Sequence, residues 1–320
     1  MYIDLHCDTV LKYIGNSNLE EIYEGENSHL GLKELYDLGV KAQFMAIFLA
    51  SEEEFEKIDL AGISDWDYVE KCLNYYENIE KRYPDKFKVT RDYKEYLENR
   101  KNGLVSLFPT IEDGRLISKV EDVKTLRKKG ITLITLLWNN ENSLGYPHKF
   151  EGYDNDYGLK KLGIEVIKEM EEQKIIIDVS HLNEHGIEDV LKNTTKPFMT
   201  SHSNARKVTD VTRNLSDRQL KELGERGCVA GLNLCPHFAT YEKKATFSDY
   251  EKHIRHMLDV GGEDLVAIGS DFDGIGGEFE IKNPHKMIEF LNRLNMNGIS
   301  SEVVEKIAYK NVERFFKEYY

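Results

Sequence analysis

Eight short apolar runs, spread along almost the whole chain and separated by amphipathic stretches, constrain this sequence more than any other feature. They are Ile3–His6, Ala42–Leu49, Leu104–Thr110, Thr132–Trp138, Ile175–Val179, Pro197–Ser201, Val229–Leu234 and Leu265–Gly269. Each is nearly continuous in apolar residues instead of alternating, as expected of strands covered on both faces in a parallel sheet. Between them, Leu159–Gln173 and Asp217–Arg226 space apolar residues three to four apart with charge opposite, which predicts helices. Ser301–Tyr320 predicts a long final helix that packs back through Val304, Ile307, Val312, Phe315 and Phe316. Strands alternating with helices in this way predict an α/β fold, a single-domain (β/α)8 TIM barrel over residues 1–320. Such barrels typically need about 250 residues. The extra length is assigned to the loops Ser51–Tyr83 and Asn139–Asp156. A doubly wound open sheet is the alternative, but it would want a glycine-rich phosphate turn after an early strand, and none is present.

In a barrel of this kind the active site is built from the C-terminal strand ends. The first run ends at His6-Cys7-Asp8, the third at Glu112-Asp113-Gly114 and the fourth at Trp138-Asn139. The fifth ends at His181, the sixth at His202 and the eighth at Asp271. His6 and Asp8 are two apart, so on an extended strand they share a face while Cys7 points away. Imidazole with carboxylate suits zinc, manganese or iron. His181 and His202 end successive strands and should be neighbours, which brings three imidazoles to one mouth. A carboxylate after the apolar run before Glu112 must be paired or ligated to offset its desolvation. Spacing alone does not separate Glu112 from Asp113, nor Asp271 from Asp273. His29, His148, His185, His237, His253, His256 and His285 fall in loops or helical patterns and are read as surface or packing residues.

Composition narrows the function. The formal charge of −14 argues against nucleic acid and against docking on anionic lipid, both of which need clustered Lys and Arg. The N-terminus MYIDLHCDTV has no basic leader segment, and no apolar run is long enough to span a bilayer. The four cysteines are scattered without a CxxC pair, so the expectation is a reduced, cytoplasmic protein that does not associate with membranes.

Several of these segments together resemble the membrane (renal) dipeptidase family, the M19 metallopeptidases of the amidohydrolase superfamily. DLHCDT is similar to the family's opening His-x-Asp motif, and TIEDGRLI to its glutamate-glycine segment. DVSHLNEHG and TSHSNAR resemble the two histidine segments, TRNLSDRQL the arginine segment and AIGSDFDG the strand-eight motif. NVERFF is similar to the final helix, so the likeness spans most of the chain. The resemblance implies a dinuclear zinc dipeptidase with two zinc ions per chain, acting on L,L- and also L,D-dipeptides through a metal-bridging hydroxide. By motif, His6, Asp8 and Glu112 would bind one zinc, and Glu112, His181 and His202 the other. The resemblance thus selects Glu112 over Asp113. Asp271 would be the catalytic acid and base, and Arg213 would read the substrate's C-terminal carboxylate, for which a guanidinium fork is well shaped. Relatives are often dimers, so a homodimer is the assembly to test.

Two positions depart from the family. Trp138 stands where many relatives carry a histidine that helps to bind the substrate carbonyl; its indole N–H can donate one hydrogen bond but cannot titrate. Phe238 stands where some relatives have a tyrosine near the carboxylate pocket. Both bear on substrate binding and leave the metal chemistry intact. The rival readings are another amidohydrolase, such as a lactamase or deaminase, and a non-catalytic metal-binding barrel.

Overall fold

The computed structural model describes residues 1–15, 18–148 and 157–320. All eight apolar runs are strands: β1 (Ile3–Cys7), β2 (Ala42–Phe48), β3 (Val105–Glu112), β4 (Leu133–Thr135), β5 (Ile176–Asp178), β6 (Met199–Thr200), β7 (Val229–Leu232) and β8 (Val266–Ile268). Each pairs in parallel with its neighbours in chain order, and β8 returns to pair with β1, closing a (β/α)8 barrel. An additional strand, Phe87–Val89, pairs on the side of β3.

The loop expected at Ser51–Tyr83 is instead largely helical, over Glu52–Lys57 and Asp65–Arg82. Ser51 and Glu54 form a capping box at the first helix, and Ser64 caps the second. The longer helix buries Tyr68, Val69, Cys72, Tyr75, Tyr76 and Ile79, a three-to-four spacing that a length argument passes over. The loop expected at Asn139–Asp156 is irregular as far as His148, and its remainder, 149–156, lies outside the described residues. The final helical segment is broken by a π-helical turn at Lys306–Lys310 before Asn311–Tyr319.

One apolar cluster receives a residue from every barrel strand, including Leu5, Phe44, Phe108, Leu133, Ile176, Met199, Val229 and Ala267. A cluster shared by all eight strands of a closed barrel can only lie inside it. Phe315, Phe316 and Tyr319 of the last helix join that cluster and plug this end. The alternate positions, such as Met45, Ile47, Leu107, Ile111 and Ile177, belong to the larger cluster packed against the surrounding helices. Strand periodicity therefore carries the inward face from Leu133 to Thr135, from Ile176 to Asp178 and from Phe108 through Thr110 to Glu112.

β1 breaks this alternation. Asp4 pairs with Gln43 but Cys7 with Met45, so one extra residue is accommodated between them. This bulge lets Ile3 and Leu5 face inward near the plug while His6 and Asp8 still face the opposite mouth. Cys7 points out, its Sγ 3.7 Å from the Met45 sulfur.

Candidate active site

The polar strand ends converge at the mouth opposite the plug. His6 Nε2 lies 3.3 Å from Asp8 Oδ2, 3.5 Å from Glu112 Oε2 and 3.9 Å from Asp271 Oδ1. The other oxygen of Glu112, Oε1, lies 3.1 Å from His181 Nε2 and 3.6 Å from His202 Nε2. The two oxygens of one carboxylate thus face two different histidine groups. His6, Asp8, Glu112, His181, His202 and Asp271 are all buried.

Hydrogen bonds orient two of the rings. His181 Nδ1 donates to Asn139 Oδ1 at 3.0 Å. His202 Nδ1 meets Ser201 Oγ at 2.7 Å, and that hydroxyl gives its own proton to Asp178 Oδ2 at 2.6 Å, so it accepts from the imidazole. Both rings therefore turn a bare Nε2 lone pair into the mouth, and these two atoms are 3.0 Å apart. Among the described residues, neither ring nitrogen of His6 has a hydrogen-bond partner, nor does Asp8 Oδ1.

Burial and neighbouring charge pull the groups apart electrostatically. Burial opposes the imidazolium of His6, yet the Glu112 and Asp8 carboxylates hold it well above its ordinary pKa. Burial, with Glu112 adding to it, raises Asp8 to about 6. Asp271 is pushed well above the carboxylate range, first by burial and then by Asp8 and Glu112, against the pull of His6. Burial drives His181 and His202 well below their ordinary value, helped by Arg213 and His6. Three buried carboxylates and two converging lone pairs, with Arg213 as the buried permanent cation beside them, make a donor set suited to divalent metal. Two groups whose ligand atoms could hold an ion are His6, Glu112 and His202, and His6, Asp8 and Asp271.

The competing carboxylates separate clearly. Asp113, with φ 79°, accepts from Asn142 Nδ2 at 2.8 Å and faces away from the histidines. Asp273 accepts from Thr9 Oγ1 at 2.6 Å and from the His29 amide at 2.8 Å, tying the last strand's loop to the first helix. Asp271 instead faces His6, its Oδ2 held by Asn233 Nδ2 at 2.9 Å. His181 and Asp271 have φ of 67° and 61°, a backbone conformation that costs energy in non-glycine residues and clusters at functional sites. Gly274 lies over the carboxylates: a Cβ there would fall 2.1 Å from Asp8 Oδ2 and 2.5 Å from Asp271 Oδ1.

A cavity of about 300 Å³ opens on this mouth, walled by Phe48, Trp138, Phe238, Cys235 and Ile275. Trp138 packs edge-on against Phe48, its ring 6.4 Å from that of His181. Arg213 is buried, donating to Ser203 Oγ at 2.6 Å and to the His202 carbonyl at 2.9 Å, with its guanidinium 5.6 Å from the Phe238 ring centre. Its Nε has no hydrogen-bond partner among the described residues.

The sequence assigns no role to Asp178, Asn139 or Asn233, and reads His148 as a surface or packing residue. A polar residue closing an apolar run was a usable signal for Asp178 and Asn233. His148 had none: it lies in a loop, yet its amide donates to the His181 carbonyl at 2.7 Å and the two rings are 6.2 Å apart. His253 is buried as a packing residue, its Nδ1 accepting from the Ala205 amide.

Comparison with known proteins follows the same direction. A family model described as membrane dipeptidase (Peptidase family M19) matches residues 1–319. The chain is 32% identical over 203 residues to an uncharacterized protein encoded in the pqqA 5′ region of Klebsiella pneumoniae, covering 61% of this chain and 75% of that protein. It is 33% identical over 197 residues to an uncharacterized dipeptidase of Schizosaccharomyces pombe, covering 59% of this chain and 47% of that one. A metallopeptidase from Rhodobacter sphaeroides, crystallised with a phosphinate mimic of the dipeptide L-Ala-D-Ala, is similar with a TM-score of 0.89. Identity there is 25%, over 100% of this chain and 99% of the other. Among the described residues, no helix is long and apolar enough to cross a membrane.

Proposed function

Because the chain belongs to the membrane dipeptidase family, peptidase family M19, we propose that it is a dinuclear zinc dipeptidase hydrolysing L,L- and L,D-dipeptides. The observation that carries this reading is the split of Glu112, with Oε2 3.5 Å from His6 and Oε1 3.1 Å from His181. His6, Asp8 and Glu112 hold one zinc in this proposal, and Glu112, His181 and His202 the other. Zinc at these positions supplies an activated water and an electrophile for the scissile carbonyl.

The chain's own residues do the rest. Asn233 holds Asp271 Oδ2 and leaves Oδ1 to take a proton from the attacking water and return it to the departing amine. Arg213 reads the substrate's C-terminal carboxylate, with Phe238 against the guanidinium. Trp138 and Phe48 wall the cavity beside the carbonyl, and the carbonyl is served either by the indole N–H or by the metal site alone. The cavity of about 300 Å³ is at the small end of ligand pockets, in keeping with a substrate of two residues. The L,D arm of the proposal draws on the L-Ala-D-Ala mimic bound by the Rhodobacter protein.

A metal analysis coupled to an L,L- and L,D-dipeptide panel tests the reading. It expects two zinc ions per chain and hydrolysis that a chelator abolishes and zinc restores. Metal-replete protein that cleaves no dipeptide would overturn it, in favour of a non-catalytic metal-binding barrel. Turnover confined to lactams or amidines would favour the other amidohydrolase reading.

A further inference from the structure

Asp178 is buried inside the barrel and forms no ion pair among the described residues, yet it accepts five hydrogen bonds. Its Oδ1 takes the Ser180 amide at 3.0 Å, the Ser180 hydroxyl at 2.8 Å and the Ser201 amide at 2.8 Å. Its Oδ2 takes the hydroxyls of Thr135 and Ser201, each at 2.6 Å. It therefore ties together β4, β5 and β6, one layer beneath His181 and His202.

The proton order along this chain of bonds has a consequence. A carboxylate only accepts, so the single Ser201 hydroxyl proton points to Asp178. The Ser201 oxygen is then left to accept from His202 Nδ1 at 2.7 Å. That keeps the His202 ring proton on Nδ1 and the lone pair on Nε2, toward Glu112 and His181. Without Asp178, Ser201 could donate to Nδ1 instead, and the ring proton would move to Nε2 and block it. On the β1 side, Asp4 accepts from the Ser270 amide and hydroxyl at 2.8 and 2.6 Å and from the His6 amide, but touches no ring. The carboxylate–hydroxyl–imidazole relay belongs to His202.

We propose that Asp178 and Ser201 are positioning residues that set the His202 tautomer for metal, making one of the two zinc sites depend on a carboxylate that ligates nothing. The proposal rests on the zinc reading above. Partners one step behind a ligating histidine commonly contribute about 10- to 100-fold in metal affinity.

The test is chelator competition on zinc-loaded protein, with thermal melting of the metal-free forms as the folding control. Ser201→Ala and the isosteric Asp178→Asn should each weaken one zinc of two by about 10- to 100-fold. Thr135→Val removes a hydrogen bond to the same carboxylate without touching the Ser201 proton, and should hold both ions within about threefold of wild type. Folded Ser201→Ala with wild-type affinity at both sites would overturn the proposal, as would a Thr135→Val loss as large as that of Ser201→Ala. If Ser201→Ala does not fold, Asp178→Asn decides by the same criterion. Wild-type protein that binds no zinc would instead overturn the functional reading, and the relay with it.

Discussion

On the β1 side of the mouth, His6 lies among Asp8, Glu112 and Asp271, and among the described residues neither of its ring nitrogens is hydrogen-bonded. On the β5–β6 side, His181 and His202 each have Nδ1 held, by Asn139 and by the Ser201–Asp178 relay. The first imidazole is pulled well above its ordinary pKa by carboxylates, and the other two are driven well below theirs by burial. Two sets of similar residues thus meet the shared Glu112 with opposite electrostatics. One side has negative charge that a cation would offset, and the other has lone pairs aligned before any cation arrives. Neither side is neutral and satisfied alone, which is the physical reason both point to metal.

The largest effects are expected on removing a residue from either side of the mouth. His181→Ala and Asp8→Ala should each lower kcat/KM by several orders of magnitude, with zinc content falling in parallel. Near-normal activity in either would remove that side from the site. Asp271→Asn comes next, with an expected loss of about 10²- to 10⁴-fold in kcat and little change in KM, the range of a lost acid–base group. If zinc content fell as well, Asp271 would belong to the β1 ligand set.

His253 is a buried imidazole outside the mouth, so it separates burial from metal. Burial lowers it from 6.5 to about 4, and no ligand group is nearby in its hydrogen-bond set. The folded value is below the unfolded one, so between the two the unfolded chain binds more protons. Its contribution is complete above about pH 6.5 and is lost as pH falls toward 4, on the order of 3 kcal/mol at most. Denaturant unfolding of metal-free protein should show a smaller acid loss for His253→Gln than for wild type over that window. Equal losses would mean that burial alone does not depress such imidazoles here. The smallest expected effect is at Arg213→Lys, which keeps the buried charge and loses the fork. KM should rise about 10- to 100-fold for dipeptides with a free carboxylate and stay unchanged for dipeptide amides, as for a charge-assisted hydrogen bond. Equal effects on both would take Arg213 out of carboxylate recognition.

Much of this was legible in the residues alone. Continuous apolar runs mark every barrel strand because a strand covered by helices outside and a plug inside has no solvent-facing side to leave polar. The polar residues closing those runs then mark the mouth, and His6, Asp8, His181, His202 and Asp271 all meet there. The helices within Ser51–Tyr83 are legible too, in the Ser51–Glu54 and Ser64 caps, although length beyond a minimal barrel by itself reads as loop.

Tertiary structure alone decided the rest. Glu112 and Asp113 are adjacent and chemically alike, and only the turn at Asp113, with its bond to Asn142, aims one inward and the other away. Asp273 is spent on Thr9 and His29, more than 240 residues earlier in the chain, so that Asp271 is left at the mouth. The bulge in β1 and the Asp178–Ser201–His202 relay likewise exist only once neighbouring strands are in register. A local pattern records whether a residue will be buried, because burial repeats with the period of its strand. Which way a buried polar group points depends on partners that closure of the barrel brings together.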